Sequence, residues 1–142
     1  MKNLVLLVVL VCCLAGAIFA KDDLGNIMVV TTLETKSNSD GSVAEFDSLN
    51  QLFTDKVLKK NELILSAKTV RHMWGHNNRD FLVMYEVKNW ADVEKANEKN
   101  DELFKKAWST EESRKEFNKK WNAYFSGKHS DEIYQEIKSG RK

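Results

Sequence analysis

Both cysteines of the chain, Cys12 and Cys13, stand side by side inside an uncharged apolar run from Leu4 to Leu14. Once that run is removed, no thiol remains for a disulfide, a zinc–thiolate centre or a nucleophile. Whatever follows must therefore be held by an apolar core alone, and the 122 residues after position 20 are enough to bury one. The run has the layout of a secretory signal peptide: Lys2 before it, small residues at Ala15, Gly16, Ala17 and Ala20 after it, then the polar Lys21-Asp22-Asp23. At about eleven residues it is short of the ~20 that a spanning helix needs. Cleavage fits after Ala17 or after Ala20, and Ala20 is preferred because Lys21 opens the polar sequence. An uncleaved anchor is the competing reading; lipidation at Cys12 or Cys13 lacks the small preceding residue.

Lys+Arg total 22 and Asp+Glu 21, and the first twenty residues take away only Lys2. The mature chain is thus neutral, with none of the basic excess of a nucleic-acid protein. Export predicts a secreted or periplasmic location without stable membrane insertion. The boundaries read as a signal peptide at 1–20 and a single domain at 21–142.

Residues 26–36 are rich in β-branched side chains between Gly25 and Ser37-Asn38-Ser39-Asp40-Gly41, and predict a strand. Ser42-Val43-Ala44-Glu45 is a capping-box sequence. Val43, Phe46, Leu49, Phe53 and Val57 then recur on one helical face to about Lys60. Residues 62–76 and 80–87 flank Asn77-Asn78, whose tolerance of left-handed backbone predicts a tight hairpin. Asn89 is placed to cap a helix from Trp90. Ser109-Thr110-Glu111-Glu112 is placed to cap a third, running through Phe117, Trp121, Tyr124 and Phe125 and ended by Gly127. Residues 131–137 predict a last strand, and the Gly-Arg-Lys end is expected to fray.

The order β-α-β-β-α-α-β is a split βαβ pattern with one extra helix before the closing strand. With the run from Phe81 to Ala96, a strand passing into a helix through a polar cap, and with Leu103 to Trp108 after it, the chain resembles the dimeric α+β barrel superfamily. That superfamily holds the antibiotic-biosynthesis-type and haem-degrading mono-oxygenases. The resemblance implies an α+β, ferredoxin-like antiparallel sheet with helices on one face, a homodimer, and a ligand cavity between sheet and helices. Haem-degrading members use a first-strand Asn, a third-strand aromatic and a second-helix His. The matching positions here hold Thr31 or Thr32, Tyr85 and Trp108, so the iron ligand has no counterpart and no cofactor is implied.

A turn at Asn77-Asn78 pairs His76 with Arg79, Trp74 with Phe81, His72 with Val83 and Val70 with Tyr85, on one face of the hairpin. Met73, Leu82 and Met84 take the other face, where a partner protomer would cover them. The expected ligand-binding residues are accordingly His72, Trp74, Tyr85 and Trp108, around a small apolar or aromatic molecule. The competing reading makes them core residues with Tyr and His satisfied by neighbours. No metal site is expected, since four residues along a strand hold His72 and His76 ~13 Å apart. No Gly-rich phosphate loop, Gly-x-Ser-x-Gly elbow or His-Glu-x-x-His is present, and no catalytic residue is identified. Three functions follow: a small-molecule binder, a cofactor-independent mono-oxygenase or isomerase, and a structural or interaction protein with a filled core.

Overall fold

The strands of this chain alternate apolar and polar residues, and in the computed structural model that alternation builds one sheet with a helix-covered side. Residues 24–76 and 79–137 are described. The signal peptide expected at 1–20, the Asn77-Asn78 pair and the Gly-Arg-Lys end lie outside the described residues. In chain order the elements are β1 (Leu24–Thr35), α1 (Val43–Lys56), a 3-10 turn (Leu58–Lys60), β2 (Ile64–Arg71), β3 (Asp80–Val87), α2 (Ala91–Ala107), α3 (Glu111–Asn122) and β4 (Phe125–Ile137). The sheet order is β2-β3-β1-β4, with every neighbouring pair antiparallel. This is the expected ferredoxin-like α+β architecture, extra helix included.

β1 is paired on both edges, which suits its β-branched content. Its register sets Ile27 opposite Val87, Val29 opposite Tyr85, Thr31 opposite Val83 and Leu33 opposite Phe81. Partners across a ladder share a face, so this row meets the helices. Two apolar clusters result. Ile27, Val29, Tyr85 and Val87 pack against Val93 and Ala96 of α2. Phe46 and Leu49 of α1 pack with Phe81, Phe117, Tyr124 and Phe125. In the second cluster the Phe46 ring lies edge-on to Phe81 at 5.0 Å and tilted against Tyr124 at 5.1 Å, the kind of contact that adds to area burial.

The Tyr124 hydroxyl also ties this cluster to the start of α1. Ser42 Oγ accepts the Glu45 N–H at 3.1 Å, as the capping sequence predicts. The Glu45 carboxylate does not return to the Ser42 N–H. It accepts from the Tyr124 hydroxyl, which itself accepts from the Ser42 N–H at 3.1 Å. The remaining caps differ by a residue. α2 starts after Trp90, with the Asn89 amide donating to Asp92 at 2.7 Å rather than capping a backbone N–H. α3 is capped by a Thr110/Ser113 box in place of Ser109/Glu112.

Two readings are corrected. The hairpin is not tight: β2 ends at Arg71, which pairs with Phe81, three residues earlier than a turn at Asn77-Asn78 requires. An odd shift turns every β2 side chain over. It directs Ala67 and Thr69 to the helix side, where Thr69 Oγ1 accepts from the Asn50 amide of α1 at 2.9 Å. Met73 and Trp74 are left beyond the strand. The second correction concerns Gly127, which does not end α3. α3 stops at Asn122, Phe125 belongs to β4, and Gly127 lies within β4 at φ +90°. Between the pairs Leu33–His129 and Thr35–Phe125, β4 spends four residues against two of β1, a bulge that a left-handed glycine accommodates.

A Cβ on Gly127 would meet nothing within 4 Å. Gly127→Val therefore tests backbone strain alone, and we expect a loss of about 1–3 kcal/mol in urea unfolding, larger than for Ser126→Val beside it.

Candidate functional site

The two apolar clusters do not meet completely, and the seam between them is a cavity of about 270 Å³. β1 and β3 form its floor through Thr31, Leu33, Val83 and Tyr85. α1 and the 3-10 turn close one side with Phe53 and Leu58. α2 and α3 contribute Asn100, Phe104, Phe117, Asn118 and Trp121. α2 lies close on the sheet at Ala96, fully buried, and one and two turns later carries Asn100 and Phe104 over the gap. Phe117 and Trp121 sit one turn apart on α3, stacked at 6.0 Å, and hold the far wall as a rigid pair. A sealed cavity of about 150 Å³ takes benzene, so this volume takes roughly two fused rings, and its open side leaves room for a further ring at the mouth.

The polar groups at the floor already have protein partners. Tyr85 Oη donates to Asn97 Oδ1 at 2.6 Å and Thr31 Oγ1 donates to Asp131 Oδ1 at 2.6 Å. Burial first, and the negative charge of Asp131 second, push the Tyr85 phenol above its ordinary value. It therefore stays protonated and keeps donating. Asn100 Oδ1 accepts from the buried Asn61 amide at 2.8 Å, and Asn61 is fixed in turn by the Ala96 carbonyl. The amide N–H groups of Asn100 and both ends of the Asn118 amide have no hydrogen-bond partner among the described residues. They remain available to a ligand. Also among the described residues, no three His, Cys, Asp or Glu side chains converge as a metal-ligand set.

The four expected site residues are not brought together. Tyr85 lines the cavity. Trp108 stands behind its wall, 4.8 Å from the Phe104 ring and 4.2 Å from Phe117. His72 lies past the end of β2. Its N–H donates to the Asp80 carbonyl at 2.9 Å, and its imidazole faces a different hollow with Arg71 and Tyr124, near the start of α1. Trp74 is 93% exposed. The physical reason is the register: with β2 moved, Thr69 occupies the place expected for His72 opposite Val83, and Arg71 the place expected for Trp74. Phe117 and Trp121 were legible as an apolar stripe, though one that reads as core. Asn100 and Asn118 carry no local signal, because only the packing of α2 and α3 brings them to the cavity, Asn100 half-buried and Asn118 exposed at its rim.

No protein-family model matches the chain, and no curated protein is similar to it in sequence. Solved structures are similar in fold. A candidate antibiotic biosynthesis monooxygenase from Bordetella bronchiseptica superposes with a TM-score of 0.51 at 10% identity, over 80% of this chain and 98% of that one. A conserved protein from Methanosarcina mazei Go1 gives 0.50 at 15%, over 79% and 93%. A nipsnap family protein of unknown function from Agrobacterium tumefaciens gives 0.50 at 7%, over 80% and 89%. The chain thus has the ferredoxin-like α+β fold shared by antibiotic-biosynthesis-monooxygenase-like proteins.

The Tyr85 environment predicts a pH effect. Because the folded phenol holds its proton above the ordinary value, the unfolded chain releases it first. Stability is full below about pH 10 and falls as pH climbs from there toward the raised value. Tyr85→Phe should be less stable than the unmodified protein at pH 8, having lost the bond to Asn97, and the gap should narrow in urea unfolding at pH 11.

Proposed function

We propose that this chain is an exported homodimeric protein that binds a small apolar or aromatic molecule in the seam cavity. The observation that carries the reading is the wall itself: the rings of Phe53, Phe104, Phe117 and Trp121 surround a space of about 270 Å³, while the floor hydroxyls are committed to Asn97 and Asp131. Such a site rewards burial of an apolar body and offers orientation through Asn100 and Asn118. Export rests on the uncharged run before Ala15-Gly16-Ala17 and Ala20.

A second reading, a cofactor-independent mono-oxygenase or isomerase, is favoured by the carboxylate of Asp131 close to the polar end of the floor. Its charge acts on Tyr85, and it can take a proton from an acidic ligand group. The name of the Bordetella relative agrees with that reading. Dioxygen uptake on adding a bound ligand favours catalysis, and stable 1:1 binding without turnover favours the binder.

Dimerisation rests on the helix-free side of the sheet. The register lays out three rows there: Val70-Leu82-Thr32-Ser130, Lys68-Met84-Val30-Glu132 and Ser66-Glu86-Met28-Tyr134. The apolar members form a diagonal band, and Met28 and Val70 are each about two-fifths exposed. A two-fold axis parallel to the strands would set the Lys68 of one copy over the Glu132 of the other. Of the residues expected on this face, Leu82 and Met84 belong to it, and Met73 lies past the strand, 88% exposed.

Two experiments test this function. Val83→Phe places a ring in the cavity and should weaken binding of the neutral fluorophore N-phenyl-1-naphthylamine at least about tenfold, with a stability change no larger than about 3 kcal/mol. Unchanged affinity would place the fluorophore elsewhere. Met84→Lys puts a charge in the apolar band, and light scattering should show a dimer converted to monomer at micromolar concentration, a change of about 3 kcal/mol or roughly a hundredfold in Kd. A monomer before substitution refutes the dimer.

A further inference from the structure

Outside the cavity, the C-terminal ends of α1 and α2 come together with an unusual excess of lysine. Lys56 ends α1, Lys59 and Lys60 belong to the 3-10 turn that follows, and Lys105 and Lys106 lie in the last turn of α2. One or two cations at each helix end offset its unpaired carbonyls. Five at two adjoining ends exceed that need, and only Lys59 is paired, to Asp55 at 2.7 Å. Lys56, Lys60, Lys105 and Lys106 have no ion-pair partner among the described residues. A chain with 22 basic and 21 acidic side chains has concentrated positive charge here.

Three of these lysines, Lys56, Lys60 and Lys106, line an open groove of about 490 Å³ whose other lining residues are Leu103 and Ala107. The groove is therefore cationic at its edges and apolar along its floor. Leu52, 43% exposed, stands one helical turn before Lys56 on α1 and extends the apolar track. Lys56 is also held in place: its Nζ sits 5.5 Å from the Trp108 ring centroid, a cation–π arrangement. The groove shares no lining residue with the seam cavity.

The geometry points to a binding site for a single-chain amphiphile with an anionic head, phosphate or carboxylate, held by Lys56, Lys60 and Lys106 with its alkyl chain along Leu103 and Ala107. Lys60 feels the Asp55 carboxylate already paired with Lys59, and the other two lysines make no ion pair among the described residues. Charge complementarity selects the head, since the three ammonium groups still repel one another until an anion neutralises them. The apolar floor selects the chain. A polyanion such as a nucleic acid would satisfy the lysines and leave Leu103 and Ala107 uncovered.

Dodecyl phosphate below its micelle concentration is the probe, titrated by calorimetry. It is also followed by tryptophan fluorescence in a Trp74→Phe, Trp90→Phe variant, which keeps Trp108 and replaces two exposed residues. The expected result is one molecule bound per chain, more tightly than inorganic phosphate or zwitterionic dodecyl phosphocholine. Affinity should fall when NaCl is raised from about 0.05 to about 0.5 M. The triple substitution Lys56→Gln, Lys60→Gln, Lys106→Gln changes exposed side chains only. It should weaken binding at least tenfold and leave N-phenyl-1-naphthylamine binding in the cavity unaltered. Val83→Phe should leave dodecyl phosphate binding intact. Four outcomes overturn the site: equal affinity in the triple variant, loss of binding in Val83→Phe, inorganic phosphate bound as tightly as the amphiphile, or binding to phosphatidylglycerol vesicles without binding of the monomer.

Discussion

The pairing of β1 with β3 decides where everything else in this protein lies. Val29 opposite Tyr85 and Leu33 opposite Phe81 put one aromatic row on the side that α1, α2 and α3 cover. Had the register slipped by one residue, one strand would have turned over against the other. Either Glu34 of β1 or Asp80 and Glu86 of β3 would then meet the helices, and that strand's apolar row would leave the core. Since β1 is also paired with β4, its register positions Asp131 opposite Thr31. The same ladder that builds the core thereby sets the largely exposed Asp131 carboxylate against the hydroxyl of Thr31, a residue of the cavity floor. The cavity chemistry is a consequence of sheet register more than of any local motif.

Tyr124 shows how the helices are bound to that sheet. It follows α3 directly and precedes β4, so its ring enters the cluster around Phe46 while its hydroxyl serves the first turn of α1. The Lys36 N–H donates to the Tyr124 carbonyl at 2.9 Å, which adds a backbone link between the end of β1 and the start of β4. Removal of this one side chain would disturb the cap of α1, the packing of α3 and the approach of β4 together. Its effect should exceed the one or two kcal/mol of an ordinary cap.

Elements whose signals are local could be read before the fold was known. β1 and β3 show in their β-branched and alternating residues, α1 in Ser42 and its apolar stripe, and the extra helix in its aromatic stripe. The β2 register could not be read this way. Asn77-Asn78 is a plausible tight turn by itself, and what outweighs it is distant: the Asn50–Thr69 hydrogen bond and the room that small Ala67 leaves opposite Tyr85. Gly127 misled for a similar reason, because a left-handed glycine serves a helix end and a strand bulge equally well. Of the site, Tyr85 was legible since β3 itself was. His72 and Trp74 depended on the β2 register and moved with it.

The cavity persists because its walls cannot collapse. Phe117, Trp121 and Phe104 are rings with few rotamers, wedged against one another at 5.7 to 6.0 Å. Closing the seam would require α2 to approach the sheet beyond Ala96, which is already in full contact. A sealed, empty void of about 270 Å³ would cost several kcal/mol. This one is open to solvent on one side, with Asn118 exposed at its rim, so water can occupy it at a smaller cost. Water held by only two amides against aromatic walls is poorly satisfied, and its displacement by an apolar ligand is favourable. A ligand that also offers an acceptor to the Asn100 or Asn118 amide keeps the hydrogen bonds that the departing water made. The preferred occupant is then an aromatic body with a single polar edge, with the edge turned toward α2 and α3.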